Sequence, residues 1–132
     1  MIVLNPLPAD ARCPCGTGLT FGECCGQYHA GKPAPSAEAL MRSRFSAFVT
    51  GDEDYLLRTW DPRTRPERLE LADMGIRFYR LDIIETVAGG PLDSEGVVEF
   101  EAFYKGAATG SQRERSSFRR QGGQWVYSAG QF

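Results

Sequence analysis

Hydrophobic and polar positions follow two different periods along this chain, and the change falls near Gly75. From Ala37 the apolar residues Leu40, Met41, Phe45, Phe48 and Val49 recur at helical spacing within AEALMRSRFSAFVTG, which predicts a helix with one broad apolar face. Ser36 stands at its N-cap position and Gly51 at its stop. Asp52 then caps a second, shorter helix through EDYLLRTW, with Tyr55, Leu56 and Trp60 available for packing. Pro66 suits the first turn of a third helix running to about Asp73. Beyond Gly75 the period becomes two. Strands are predicted near 76–87, 96–105, 111–120 and 124–129, separated by AGGPLDSE, GAATG and QGG. Three helices followed by four strands is an α+β order, with the helices packed on one face of a curved antiparallel sheet.

Alternation also assigns faces. In VVEFEAFY, Val98, Phe100, Ala102 and Tyr104 share the core face, and Glu99 and Glu101 the other. Phe118 shares its phase with Glu114 and Ser116, while Arg113, Arg115, Ser117 and Arg119 face solvent. An inward Glu114 requires a partner, because an isolated buried charge is costly. Arg44, on the border of the first helix's apolar face, is the first candidate and Arg42 the second. A structural Arg44–Glu114 ion pair is the favoured reading. The rival reading is a pocket with Glu114 as acid or base and Tyr55, Trp60, Asp61 or Tyr79 at its wall, which makes Glu114, Asp61 and Tyr55 weak catalytic candidates.

All four cysteines lie in CPCGTGLTFGECCG, as Cys13, Cys15, Cys24 and Cys25. Two close pairs joined by a glycine-bearing turn suit a tetrahedral thiolate site, which makes structural zinc the leading reading. Disulfides between adjacent cysteines are strained, and a redox dithiol would more usually read C-x-x-C near a βαβ pattern. The fourth ligand is Cys25 or, alternatively, His29, the only histidine; Cys25 is preferred. The Gly/Pro-rich connector GKPAPSAE separates a knuckle segment, 1–31, from a domain over 36–132. Removing the metal is therefore expected to unfold the knuckle and leave the domain intact.

The knuckle resembles the SEC-C motif, the zinc-binding tail of the SecA translocation ATPase, in which C-P-C-G-S-G precedes Cys-His or Cys-Cys. From there to Tyr127, ALMRSRFSAFVTGDEDYLLRTWDP, RERSSF and GQWVY resemble the bacterial YchJ family of uncharacterised proteins. That resemblance implies a domain similar to the nuclear transport factor 2-like, or cystatin-like, cone. It also implies a protein partner or the ribosome as the knuckle's contact. Three departures stand out: Leu19, Thr20 and Phe21 replace the lysines common between the cysteine pairs, Asp61 stands where relatives often read T-W-H-P, and the 132 residues contain one SEC-C motif where some relatives carry a second. The Asp61 departure removes a histidine that could have shuttled protons and so weakens an enzymatic reading.

Composition narrows the classes. A 132-residue chain that is 42% hydrophobic supports one main domain with a real core. A net charge of −2 gives no general attraction to nucleic acid or anionic membrane. Arg113, Arg115, Arg119 and Arg120 with Phe103 nearby could engage single-stranded RNA, but Glu99 and Glu101 on the next strand argue for mutual neutralisation. MIVLNPLPADAR lacks a basic run leading into an apolar stretch, so a signal peptide is not expected, and no apolar run reaches membrane-spanning length. The expectation is a cytoplasmic zinc-binding adaptor, with a small-molecule or enzymatic cone and an RNA-binding protein as alternatives and the oligomeric state open.

Overall fold

A computed structural model describes residues 3–69, 71 and 75–131. Its elements are α1 (Cys25–His29), α2 (Ala37–Thr50), α3 (Glu53–Arg58), β1 (Ile76–Ala88), β2 (Glu95–Gly106), β3 (Gly110–Gln121) and β4 (Gln124–Gln131). The strands form one antiparallel meander in the order β1-β2-β3-β4, so the α+β order and all four strands stand as expected. Of the third helix expected over 66–73, residues 66–69 are not helical, Leu71 has 3₁₀ backbone, and 70 and 72–74 lie outside the described residues.

Both predicted caps form. Ser36 Oγ accepts from the Ala39 N–H at 3.1 Å, and Gly51 ends α2 at a left-handed φ of 71°. Asp52 Oδ1 accepts from the Tyr55 N–H at 3.1 Å to start α3. Each such cap is worth about 1 kcal/mol. The inner face of the sheet also follows the alternation: Val98 pairs with Ser116, Phe100 with Glu114 and Ala102 with Gln112. Register shifts between Phe78 and Arg80, and between Ile83 and Glu85, bulge β1, and bulges bend a strand and increase its twist.

Helix α2 departs from the expected single apolar face. Besides Leu40, Met41 and Phe45, it buries Ser43, Arg44, Ser46, Ala47 and Thr50. Its apolar face lies on the sheet, and the small-residue face lies under the cysteine segment. Serine, alanine and threonine permit that close approach, and the serine and threonine hydroxyls are satisfied locally. Thr50 Oγ1 donates to the Ser46 carbonyl at 3.0 Å, and Ser43 Oγ to the Leu40 carbonyl at 2.8 Å. The Tyr55 hydroxyl, with its pKa pushed up to about 12 by burial, completes the chain by donating to Ser43 Oγ at 2.6 Å.

Asp61 fastens the helical side to the sheet. It is fully enclosed. Arg119 forks onto it, Nε to Oδ2 at 2.6 Å and Nη2 to Oδ1 at 2.9 Å. Arg63 Nη2 reaches Oδ2 at 2.9 Å, and Ser128 Oγ donates to Oδ2 at 3.0 Å. Backbone bonds flank the cluster, from the Asp61 N–H to the Tyr127 carbonyl and from the Tyr127 N–H to the Thr59 carbonyl. The Arg119 and then the Arg63 hydrogen bonds hold the Asp61 carboxyl far below the usual carboxylate range. A depressed folded-state pKa means that this stabilisation is complete above the unfolded value, about 3.9, and is lost as pH falls toward the folded one. We predict that Asp61→Asn lowers Tm by several degrees at pH 7, and that the wild-type and variant curves converge on acidification below about pH 4; thermal melts by circular dichroism across pH 7 to pH 2 check both. A constant gap across that range would contradict the assignment.

Candidate functional site

The cysteine segment folds as a tight hairpin running into a short helix. Arg12 and Thr20 bridge, the Cys13 N–H donates to the Leu19 carbonyl at 2.9 Å, and the Phe21 N–H to the Ala11 carbonyl at 2.7 Å. Gly16 and Gly18, at φ of 88° and 87°, make the reversal that most other residues resist. The reversal returns Cys13 and Cys15 onto Cys24 and Cys25, and all four Sγ atoms lie within 4.8 Å of one another. Cys15 and Cys24 sulfurs are 3.6 Å apart, and those of Cys24 and Cys25 are 3.9 Å apart. A tetrahedron with zinc–sulfur bonds of about 2.3 Å has edges of about 3.8 Å, so the donor set fits a tetrahedral metal. The cluster suggests metal binding.

Its electrostatics point the same way. All four cysteines are buried. Hydrogen bonds from Cys15 and Cys25 hold Cys13 down as the thiolate, while the hydrogen bond to Cys13 pushes the Cys25 thiol up. Burial pushes Cys24 up to about 11. A divalent ion bound among them would hold the sulfurs as thiolates. Around them Ser46 Oγ stands 3.6 Å from Cys13 Sγ, and Thr17 Oγ1 3.2 Å from Cys24 Sγ. Arg42 Nη1 donates to the Cys15 carbonyl at 2.7 Å. Ser46 and Arg42 were not among the sequence-derived site residues as metal supports. The only available signal was that S-x-x-S-A-x-x-T on α2 is too polar for a face pointing at a sheet.

His29 is not part of the cluster. Its Nε2–H donates to the Ser43 carbonyl at 2.8 Å, Nδ1 lies 3.8 Å from Asp52 Oδ2, and its ring packs on Phe21 and Tyr55. Burial, above all, lowers its pKa. His29 therefore docks the knuckle on the domain. Arg58 Nη2 adds a bond to the His29 carbonyl at 2.6 Å. The cysteines share one continuous core with Leu40, Phe45, Tyr55 and Phe118, so the knuckle is packed on the domain. The connector spans a short path over a packed interface instead of separating two bodies.

A cavity of about 370 Å³ opens on the other side of α2, with Phe45, Phe48, Trp60, Phe78, Phe100 and Tyr127 among its walls and Arg44, Glu114 and Gln112 as its polar groups. Arg44 and Glu114 thus share the interior, but the expected direct ion pair does not form. Arg44 Nη1 instead donates to the Leu56 carbonyl and to Thr59 Oγ1, both at 2.7 Å, and its guanidinium lies over the Trp60 and Tyr127 rings. The free carbonyl near the end of α3 is a nearer acceptor than the carboxylate. Burial lowers the Arg44 pKa to about 10, so it remains a cation at neutral pH. Glu114 accepts from Ser116 Oγ and packs against Gly130. Of the three weak catalytic candidates only Glu114 reaches the cavity. Tyr55 is buried against Ser43 and His29, and Asp61 is used by its arginines. Tyr79 is half exposed on the outer face and Trp60 alone of the expected wall residues stands there; Tyr127, on β4, was missed.

The outer face neutralises itself. Arg113 and Arg115 both pair with Glu99, at 2.7 and 2.9 Å, and Arg80 pairs with Asp82 at 2.9 Å. Arg120 is taken up by the Asp93 and Pro91 carbonyls and by the Trp125 ring. No helix among the described residues is long and apolar enough to cross a membrane.

A four-stranded cone over helices, joined to a compact cysteine knuckle, defines a nuclear transport factor 2-like domain carrying a SEC-C motif. The family described as "YchJ, middle NTF2-like domain" matches residues 36–130, the SEC-C motif matches residues 11–27, and the chain belongs to this YchJ-like family. It is 66% identical to a UPF0225 protein of Corynebacterium glutamicum over 120 residues, covering 90% of this chain and 95% of that one. A UPF0225 protein of Streptomyces coelicolor is 53% identical over 121 residues, covering 91% and 94%. The solution structure of a SEC-C motif containing protein from Rhodopseudomonas palustris superposes with a TM-score of 0.78 at 35% identity, covering 91% of this chain and 97% of that one. A SEC-C motif containing protein from Psychrobacter arcticus shares the fold, with a TM-score of 0.76 at 24% identity, covering 92% and 82%.

Three sets of measurements follow from the shared core. Metal analysis should find about one ion per chain in wild type and His29→Ala, and severe loss in Cys13→Ser, Cys15→Ser, Cys24→Ser and Cys25→Ser; metal kept by Cys25→Ser but lost by His29→Ala would reverse the ligand assignment. Ser46→Ala should weaken the metal by at least about ten-fold in chelator competition. Stripping the metal should also lower the melting temperature of the whole chain and disorder α2, as read by amide NMR signals of Leu40 to Thr50.

Proposed function

We propose that this protein is a zinc-stabilised adaptor in which the metal holds the SEC-C knuckle rigid for contact with a protein partner or the ribosome. The carrying observation is the cluster of four buried sulfurs with separations near the edge of a zinc–thiolate tetrahedron. Four thiolates leave no position for water or substrate, so the ion's role is structural. Soft thiolates select zinc over magnesium or calcium. The contact surface is the hairpin tip, where Gly16, Thr17, Gly18 and Leu19 are exposed and Leu19 keeps half its surface in solvent. A cytoplasmic setting agrees with four free, reduced cysteines.

The test must separate the tip from the metal, since losing a cysteine also damages the core. Zinc-loaded wild type and Leu19→Asp should show equal metal content and melting temperature. On crosslinking in the native cell and on sedimentation with purified ribosomes, the wild type should bring down a defined partner or ribosomes, and Leu19→Asp should lose at least about 90% of that signal, roughly 1.4 kcal/mol of binding. Equal capture by the two proteins would reject the tip as the contact.

A further inference from the structure

Two polar groups that line the cavity are left half used, and together they specify a ligand. Arg44 is 3% exposed and spends only Nη1, on Leu56 and Thr59. Among the described residues its Nε and Nη2 hydrogens have no acceptor. Glu114 spends Oε2 on Ser116 Oγ, and among the described residues its Oε1 takes no donor. Both side chains line the same space. The spare donors of Arg44 and the spare acceptor of Glu114 are not sealed within the protein but open to the cavity, where a guest completes them.

The remaining walls set the shape and size of the occupant. Trp60, Phe78, Phe100 and Tyr127 present aromatic surface, which favours a flat ring. The cavity's 370 Å³ falls within the usual range of ligand pockets. A cavity of about 150 Å³ already holds benzene, so there is room for two fused rings. Gln112, exposed on β3, stands at the mouth, and Arg44 at the buried end.

Charge decides the chemistry of the ligand's edge. One cation and one anion already line the cavity, so its polar end is neutral. A ligand carboxylate would meet Arg44 but be opposed by Glu114, and a ligand ammonium would meet the reverse. A neutral edge with a carbonyl beside an N–H satisfies both, accepting from Arg44 and donating to Glu114. We propose that the cavity is a binding site for a small, flat, neutral heteroaromatic carrying a lactam edge, –C(=O)–NH–, held between Arg44 and Glu114. The site shares no residue with the cysteine cluster, which lies on the opposite face of α2.

Quinazolin-4-one, 1-naphthoate and isoquinoline are suitable probes: similar in size, they present a lactam, a carboxylate and a bare ring nitrogen respectively. Each is titrated into the full zinc-loaded chain by calorimetry and by NMR, following the Trp60 indole N–H. Quinazolin-4-one should bind at least about ten-fold tighter than either of the others, the 1.4 kcal/mol expected at minimum from hydrogen bonds to charged groups. Glu114→Leu, which places an apolar side chain in an apolar cavity, should erase that preference while isoquinoline binding persists. Glu114→Gln provides a second variant of nearly the same shape, should Leu disturb the melt, and should reduce the preference by more than half. Tighter binding of naphthoate, equal binding of all three, a preference retained in both Glu114 variants, or no shift of Trp60 up to millimolar probe would each overturn the proposal.

Discussion

A helix that is dry on two opposite sides must find partners for the polar groups it buries, and the rest of this structure follows from how far α2 does so. Toward the knuckle it offers Ser43, Ser46 and Thr50, whose hydroxyls turn back to its own carbonyls or reach Tyr55 and Cys13. Toward the sheet it offers Leu40, Met41 and Phe45, with Arg44 reaching the end of α3. The cysteine cluster is consequently one wall of the core. A metal bound there would fix that wall and, with it, the helix whose other face lines the cavity. Cluster and cavity are thus mechanically joined through α2 without any shared residue.

The charges are handled by two different solutions. Asp61 is surrounded by donors until no capacity remains, which suits a fastening point. Arg44 and Glu114 are each satisfied only in part, in a space large enough to admit a guest. Saturated buried ions stabilise a fold, whereas unsaturated ones on a cavity wall await a complement. Burial alone does not reveal which carboxylate keeps spare capacity, since Asp61 is the more deeply enclosed of the two.

Local chemistry made much of this legible in the sequence. Ser36, Gly51 and Asp52 marked the helix ends because caps act within a turn. The alternation through Val98, Phe100, Ala102 and Phe118 named the inner face because a strand has only two. The four cysteines announced their cluster by spacing. What escaped depended on long-range geometry. Arg44's choice of the Leu56 carbonyl over Glu114 turns on where α3 ends in space, and Tyr127's place at the cavity wall turns on β4 crossing beside Trp60. The docking of the knuckle was written in Ser43, Ser46 and Ala47, but small residues state only that something approaches, not what. The Pro/Gly connector then suggested separation where the interface is close.

The two bulges in β1 have a consequence beyond the curvature of the cone. β1 is an outer strand of the meander, and an outer strand carries unpaired amides that can recruit a second chain. Slips at Phe78/Arg80 and Ile83/Glu85 break the even spacing such a recruit would need, and Arg77, Arg80 and Glu85 stand charged and exposed along it. A strand bent and charged in this way makes a poor template for edge-to-edge growth. The irregularity that hollows the interior therefore also guards the sheet against polymerisation, so that a fold with an open concave core need not become a seed for fibres.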